Sequence, residues 1–318
     1  MKSLRPLGFV LVALMLSQCA PDPPKLINVK IAVSLTPLST AFFVAESSGY
    51  FRQCGLLPEL IQVNGGKRAF ELLEENRVDF STSSDSVVSY AVQQNTTPFN
   101  ILASFASSEN DIKLISRQPE PLPANSTLGY WSGSASEHLM QTYLALYQSD
   151  KTFDQVDAPP EQLVSLFREG KVDVISVWEP FAWQMTDLIE QNDAHVLDAA
   201  ALHSLHFLLL SNQNSKLDRT VAERLIGALQ LATIKVHQHP QEVQQEIRTV
   251  LNADQSFIDW IWNDYLFQVK PATSVRYALL SNSRWFNGSR PLNYQNYLAN
   301  AESLASPSDL AEQWCQDT

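Results

Sequence analysis

The chain has 318 residues, 45% of them hydrophobic, enough to bury a core and long enough for two domains as readily as one. Its formal charge of −12 argues against nucleic acid or an anionic membrane surface as partner, because both select basic patches. Acidity by itself identifies no ligand.

The N-terminus reads MKSLRPLGFVLVALMLSQC, with Lys2 and Arg5 ahead of an apolar run from Leu7 to Leu16. The run is shorter than the ~20 apolar residues that cross a bilayer and fits the core of an export signal, residues 1–18. LSQC resembles a bacterial lipobox that would lipidate Cys19, although Gln18 departs from the small residue usual there. Residues 19–25, including the proline-rich APDPPK, then form a tether. Removing Cys19 from the count leaves Cys54 and Cys315, a possible disulfide in an exported chain or two separate thiols.

From Leu26 onward short β-branched runs alternate with helical patterns. INVKIAVSL predicts a strand, STAFFVAESSGYF a helix, ELIQV a second strand, NGGKRAFELLEENR a glycine turn and helix, and VDFSTSS a third strand. This alternation predicts βαβ units around a mainly parallel sheet. FNILASFASS and IKLISRQ predict strands closing the first lobe, with a crossover at the proline-rich RQPEPLPANS. TLGYWSGSASEHLMQTYLALY opens a second unit, HFLLLSNQ carries the chain back, and the mostly helical remainder is placed on the first lobe. The expected boundaries are 26–116 plus 209–318 for lobe 1 and 117–208 for lobe 2.

An internal repeat supports the division. ELLEENRVDFSTSSDS aligns with SLFREGKVDVISVWEP, matching Leu72 to Leu166, Arg77 to Lys171 and Val78-Asp79 to Val172-Asp173, and setting Asp85 against Glu179. Each lobe thus places an acid just past a strand's carboxyl end, the edge where open α/β sheets bind ligands.

Several stretches resemble those of nitrate-, sulfonate-, taurine- and thiamine-pyrimidine-binding proteins: AFFVAESSGYFRQCGLLPELIQVNGG, GKVDVISVWEPF and LATIKVHQHPQEV. The resemblance covers nearly all of the mature chain. It implies an α/β, two-lobed periplasmic-binding-protein fold (type II), two Rossmann-like lobes with a ligand cleft between them. It also implies a monomeric, lipid-anchored receptor on the periplasmic or cell-surface side of a bacterial membrane. Such a receptor hands a small molecule to an ABC permease served by a separate ATPase chain and needs no cofactor.

The expected ligand contacts are Thr36, Leu38 and Ser39 after the first strand; Gly65, Gly66 and Lys67 in the glycine turn; and Ser83, Ser84 and Asp85 at the next strand end. In the second lobe they are Trp131, Ser132, Ser134 and Ala135, then Trp178, Glu179 and Phe181. Each has a competing structural reading: helix caps for Ser39, Asp85 and Glu179, a plain turn for the glycines, packing for the aromatics. A small sulfonate or nitrate would use the serines with Lys67 and Arg68, whereas an aminopyrimidine-like solute would use Asp85, Glu179, Trp131 and Trp178.

Two further function classes stay in view. A ligand-sensing receptor for a membrane signalling protein would share every feature above. An enzyme of the thiamine-pyrimidine branch would need the cysteine-rich motif that this sequence lacks, and it also lacks G-x-S-x-G, H-E-x-x-H, C-x-x-C and P-loop motifs. The expectation is therefore no catalytic residue and no metal site; His237 and His239 read as a surface pair at a helix end.

Overall fold

The structure, a computed structural model, describes residues 25–94, 98–200, 202–214, 217–287, 297 and 307–315. The expected export signal and Cys19 lie outside the described residues. Among those described, no helix is long and apolar enough to cross a membrane.

Two mixed sheets form the frame. The first has six strands in the order β11-β4-β10-β3-β1-β2: β1 (Ile27–Ser34), β2 (Leu56–Val63), β3 (Phe80–Ser84), β4 (Phe99–Ser108), β10 (Leu205–Asn212) and β11 (Tyr265–Pro271). The second has five in the order β7-β6-β8-β5-β9: β5 (Ile112–Ser116), β6 (Thr127–Tyr130), β7 (Asp154–Asp157), β8 (Val174–Trp178) and β9 (His195–Val196). β1, β2 and β3 run parallel, as do β6, β7 and β8.

The aligned repeat is a repeated piece of structure. In helix Gly66–Glu74 the buried residues are Ala69, Phe70 and Leu73; in helix Pro160–Arg168 they include Leu163, Val164 and Phe167, one apolar stripe against each sheet. Both helices end the same way. Asn76 and Gly170 take the left-handed conformation, and the Arg77 and Lys171 N–H groups donate to Leu72 O and Leu166 O. The two aspartates then lock a strand start. Asp79 donates its N–H to Lys30 O and accepts the Lys30 N–H on Oδ2 at 2.9 Å, while Asp173 does the same with Thr127 at 2.8 Å.

The second sheet is built from five consecutive strands, β5 to β9, and the first from β1 to β4 with the returning β10 and β11, so the strand pairing divides the chain a few residues away from the expected boundaries 116/117 and 208/209. Ile112–Ser116 pairs antiparallel with β8 in the second sheet, and Leu205–Leu208 already belongs to the first sheet. The crossover is therefore the three residues between β4 and β5, ahead of the RQPEPLPANS stretch where it was expected. Ile112 consequently sits opposite Trp178 at the end of β8, and Phe207 opposite Ser84 at the end of β3. Both crossovers thus lie against the carboxyl edges that face each other.

Of the later helices, Arg219–Gln238 packs on strands β2, β4 and β11 of the first sheet. Helix Arg219–Gln238 is capped by Asp218 and buries Val221, Leu225, Leu229 and Val236 against helix Thr40–Ser47. Helix Pro307–Trp314 lies against it so closely that a Cβ on Gly227 would sit 2.9 Å from Cys315 Sγ. Cys54 and Cys315 are joined in a disulfide that ties this last helix to the end of the Tyr50–Gln53 turn of helix.

Candidate ligand-binding cleft

The first turns of several helices point into the seam between the sheets: Leu38 just ahead of helix Thr40–Ser47, Gly66 and Lys67 opening Gly66–Glu74, and Ser134 and Ala135 opening Ala135–Tyr147. They enclose a cavity of about 30 Å³, whose lining also includes Thr36, Ser84 and Trp178. That volume holds on the order of one or two waters, so the lobes are closed on one another. Ser34, Val87, Asp111, Ile112, Leu205 and Phe207 complete the lining and were not expected from the sequence. The position of Asp111, Ile112, Leu205 and Phe207 depends on the two crossovers, which local patterning does not reveal.

Three polar atoms on this lining are buried without a hydrogen-bond partner: Ser34 Oγ, Thr36 Oγ1 and Trp178 Nε1. Buried polar groups are normally paired, so unsatisfied ones converging on one cavity mark a place for an external partner. The helix starts around them present backbone N–H groups and favour a negative or acceptor atom. Asp111 brings a carboxyl to the same lining. Burial pushes it up to about 7, while a hydrogen bond from Tyr265 OH at 2.7 Å works in the opposite direction.

Other expected contacts act beside the cavity. Gly65 adopts φ +89°, and a Cβ there would lie 2.7 Å from Trp178 Cζ2, so only glycine lets the Trp178 ring lie down on the first lobe. Trp131 stacks on Trp178 with ring centres 6.1 Å apart, and Phe181 meets Trp178 edge-on. Lys67 Nζ donates to Ser132 O at 2.7 Å and lies 4.5 Å over the Trp131 ring, while Arg68 pairs with Glu161 at 2.6 Å. The two expected cations and Ser132 thus bridge the lobes. Ser39 is buried behind Leu38, and Ser83 Oγ donates to Gly66 O.

Neither member of the expected acidic pair lines the cavity. Glu179 is fully buried, with Lys113 Nζ at 3.2 Å, the Trp260 indole N–H at 2.7 Å and the Trp183 N–H at 2.9 Å. Burial raises its pKa and Lys113 opposes the shift. Asp85 accepts the Ser86 N–H at the start of its helix and is pushed up to about 7 by burial. Glu179 thus takes a helix-start N–H, as its capping reading has it, whereas at Asp85's helix it is Ser84 Oγ that accepts the Val87 N–H.

Ser86 Oγ lies 3.1 Å from His203 Nε2, and Asp85 lies 3.8 Å from that same nitrogen. A Ser-His-Asp relay needs the acid on the other ring nitrogen, so this cluster has no nucleophile geometry. No group of three metal-ligating side chains occurs among the described residues. A larger open groove of about 900 Å³ lies at the amino ends of β1 and β2. Its Lys30 and Arg77 are paired with Glu59 and Glu75, and none of its lining residues holds a buried unpartnered polar atom.

Two α/β lobes closed over a small cavity at facing strand ends define the periplasmic-binding-protein fold. The NMT1/THI5-like family model matches residues 36–243, most of the chain, and the chain belongs to that family. The structure is similar to the periplasmic aliphatic sulphonate-binding protein SsuA from Escherichia coli, with 12% identity over 87% of this chain and 92% of that one and a TM-score of 0.69. It is similar to the periplasmic nitrate-binding protein NrtA from Synechocystis PCC 6803, with 14% identity over 91% and 88% and a TM-score of 0.63. It also matches the ligand-binding component of an ABC-type import system from Staphylococcus aureus, with 12% identity over 87% and 99% and a TM-score of 0.67. At these identities the likeness shows the fold. No curated protein matches the sequence.

Proposed function

We propose that this chain is an extracytoplasmic solute-binding lipoprotein that delivers a small solute to an ABC importer, the solute being an organic sulfonate, nitrate or an aminopyrimidine-like compound. The observation that carries the reading is the set of buried, unpartnered donors, Ser34 Oγ, Thr36 Oγ1 and Trp178 Nε1, around one cavity between two lobes. Solute enters while the lobes are apart, satisfies those atoms, and holds the lobes closed for a permease to read. Family membership and neighbours that bind sulfonate and nitrate support the same reading. The protein binds without transforming its ligand, acts as a monomer, and is held at the periplasmic or cell-surface side by lipid on Cys19. Its ATPase is another chain.

The test is a thermal-shift screen of the mature protein lacking Cys19 against sulfonates, taurine, nitrate, aminopyrimidines and amines. A ligand at a hundred times its Kd stabilises the fold by about 2.7 kcal/mol. The reading requires a hit whose shift disappears in Ser34→Ala with Thr36→Val. A panel with no hit, or a hit indifferent to both changes, contradicts it.

A further inference from the structure

Among the described residues Asp111 is the only acid on the cavity lining, and the one cation on that lining, Lys67, is turned away to Ser132 O and the Trp131 ring. Lys113 is the single ammonium beside it. That ammonium lies 3.2 Å from Glu179 and 3.9 Å from Asp264 and donates to Asn110 O at 2.6 Å. Three carboxyls therefore share one cation. The close pair is Lys113 with Glu179, and both Glu179 and Asp264 repel a charge on Asp111. The remaining polar contact of Asp111, the Tyr265 hydroxyl, is neutral: it favours the carboxylate but brings no countercharge. A carboxylate that is 2% exposed with no cation of its own is costly in a dry site. Either a proton or a cation from outside must balance it. The same cavity holds the acceptor-seeking Trp178 indole N–H and the hydroxyls of Ser34 and Thr36, each without a partner.

We propose that Asp111 is the charge-selecting residue of the cavity, and that the solute carries a protonated amine seated against Asp111 together with an acceptor group that meets Ser34, Thr36 and the Trp178 N–H. The inference rests on the reading of this cavity as a solute site and narrows it, since nitrate and simple sulfonates have no amine. Entry of the ammonium converts the Asp111 carboxylic acid to a carboxylate and sends its proton to solvent. Binding near neutral pH thus releases up to one proton for each amine bound.

Calorimetric titration of the mature chain with matched pairs, taurine against ethanesulfonate and β-alanine against propionate, reads the preference directly. Repeating it in buffers of different ionisation enthalpy counts protons. The amine-bearing members should bind at least tenfold more tightly with proton release, and Asp111→Asn should erase both effects. Equal affinities within the pairs, or a preference that survives Asp111→Asn, would overturn the assignment. If no member of either pair binds while nitrate gives a hit in the thermal-shift screen, this assignment fails and the solute-site reading stands; if the whole screening panel is also silent, both fail. A ligand-free measurement runs beside these: the denaturation midpoint of Asp111→Asn relative to the native chain should rise as pH goes from about 4 to 7. An offset that is constant, or negative throughout, would make Asp111 merely the acceptor for Tyr265.

Discussion

Glu179 Oε1 accepts the Trp260 indole N–H at 2.7 Å, so an acid at the end of a second-sheet strand is fastened to a helix of the first lobe. Trp183 adds ring contacts to Phe257 and Trp260 on that same helix. The WEPFAW stretch that follows β8 is therefore a bridge between lobes, with Trp178 turned to the cavity and Glu179 turned to Lys113.

Glu179→Ala leaves Lys113 buried without its close partner and should lower stability by about 3 kcal/mol. Trp260→Phe removes one hydrogen bond to a charged group and should cost about 1–2 kcal/mol. Urea unfolding at pH 7 checks both. Unchanged stability with lost solute affinity would instead make Glu179 a ligand contact.

Much of this was legible beforehand. The repeat around Asp79 and Asp173 is visible because each aspartate performs the same strand-locking task, and each preceding helix needs the same apolar stripe and left-handed end. Thr36, Leu38, Gly66, Lys67, Ser84, Ser134, Ala135 and Trp178 were expected at strand ends and line the cavity. Asp111 was not legible, because a three-residue link between two strands reads as a hairpin until strand pairing assigns them to different sheets. Ser34 was hidden inside a strand. The acidic pair misled for a physical reason: a carboxylate at a helix start is useful both as a cap and as a ligand contact, and spacing does not distinguish the two.

Gly65→Ala places a methyl where the Trp178 ring lies, on a backbone with positive φ. It should hold the lobes apart and weaken solute binding at least tenfold. Small-angle scattering with solute present reads this as a larger radius of gyration than that of the native chain. A compact, fully binding variant would contradict the closure geometry.

The Cys54–Cys315 disulfide closes a loop with a sequence separation of 261 residues. Replacing both cysteines by serine should cost about 2–4 kcal/mol, seen as a lower denaturant midpoint. Reduction of the native chain should produce the same loss, and an unchanged midpoint in both would argue against the bridge.

Buried acids and buried histidines pull the pH profile in opposite directions. Asp85 and Asp111 are pushed up to about 7 by burial, so their stability contribution is complete below the ordinary aspartate range and is lost as pH rises toward 7. His138 is pushed down to about 4 and His203 well below its usual range, again by burial. Their contribution is complete above about 6.5 and is lost as pH falls. Each group contributes a slope of about 1.4 kcal/mol per pH unit; burial also raises Glu179 and lowers His206, so three acids against three histidines should leave a shallow native profile between pH 4.5 and 6.5. Asp85→Asn should tilt it upward with pH and His138→Phe downward, by urea midpoints across the window. Profiles parallel to the native one would contradict this balance.

The most direct test of the central claim is a crystal structure of the mature chain with the strongest solute from the thermal-shift screen. The account predicts the solute between the lobes, with acceptor atoms within hydrogen-bond distance of Ser34 Oγ, Thr36 Oγ1 and Trp178 Nε1. A solute seated in the groove at the amino ends of β1 and β2, with those three atoms still unpartnered, would contradict it.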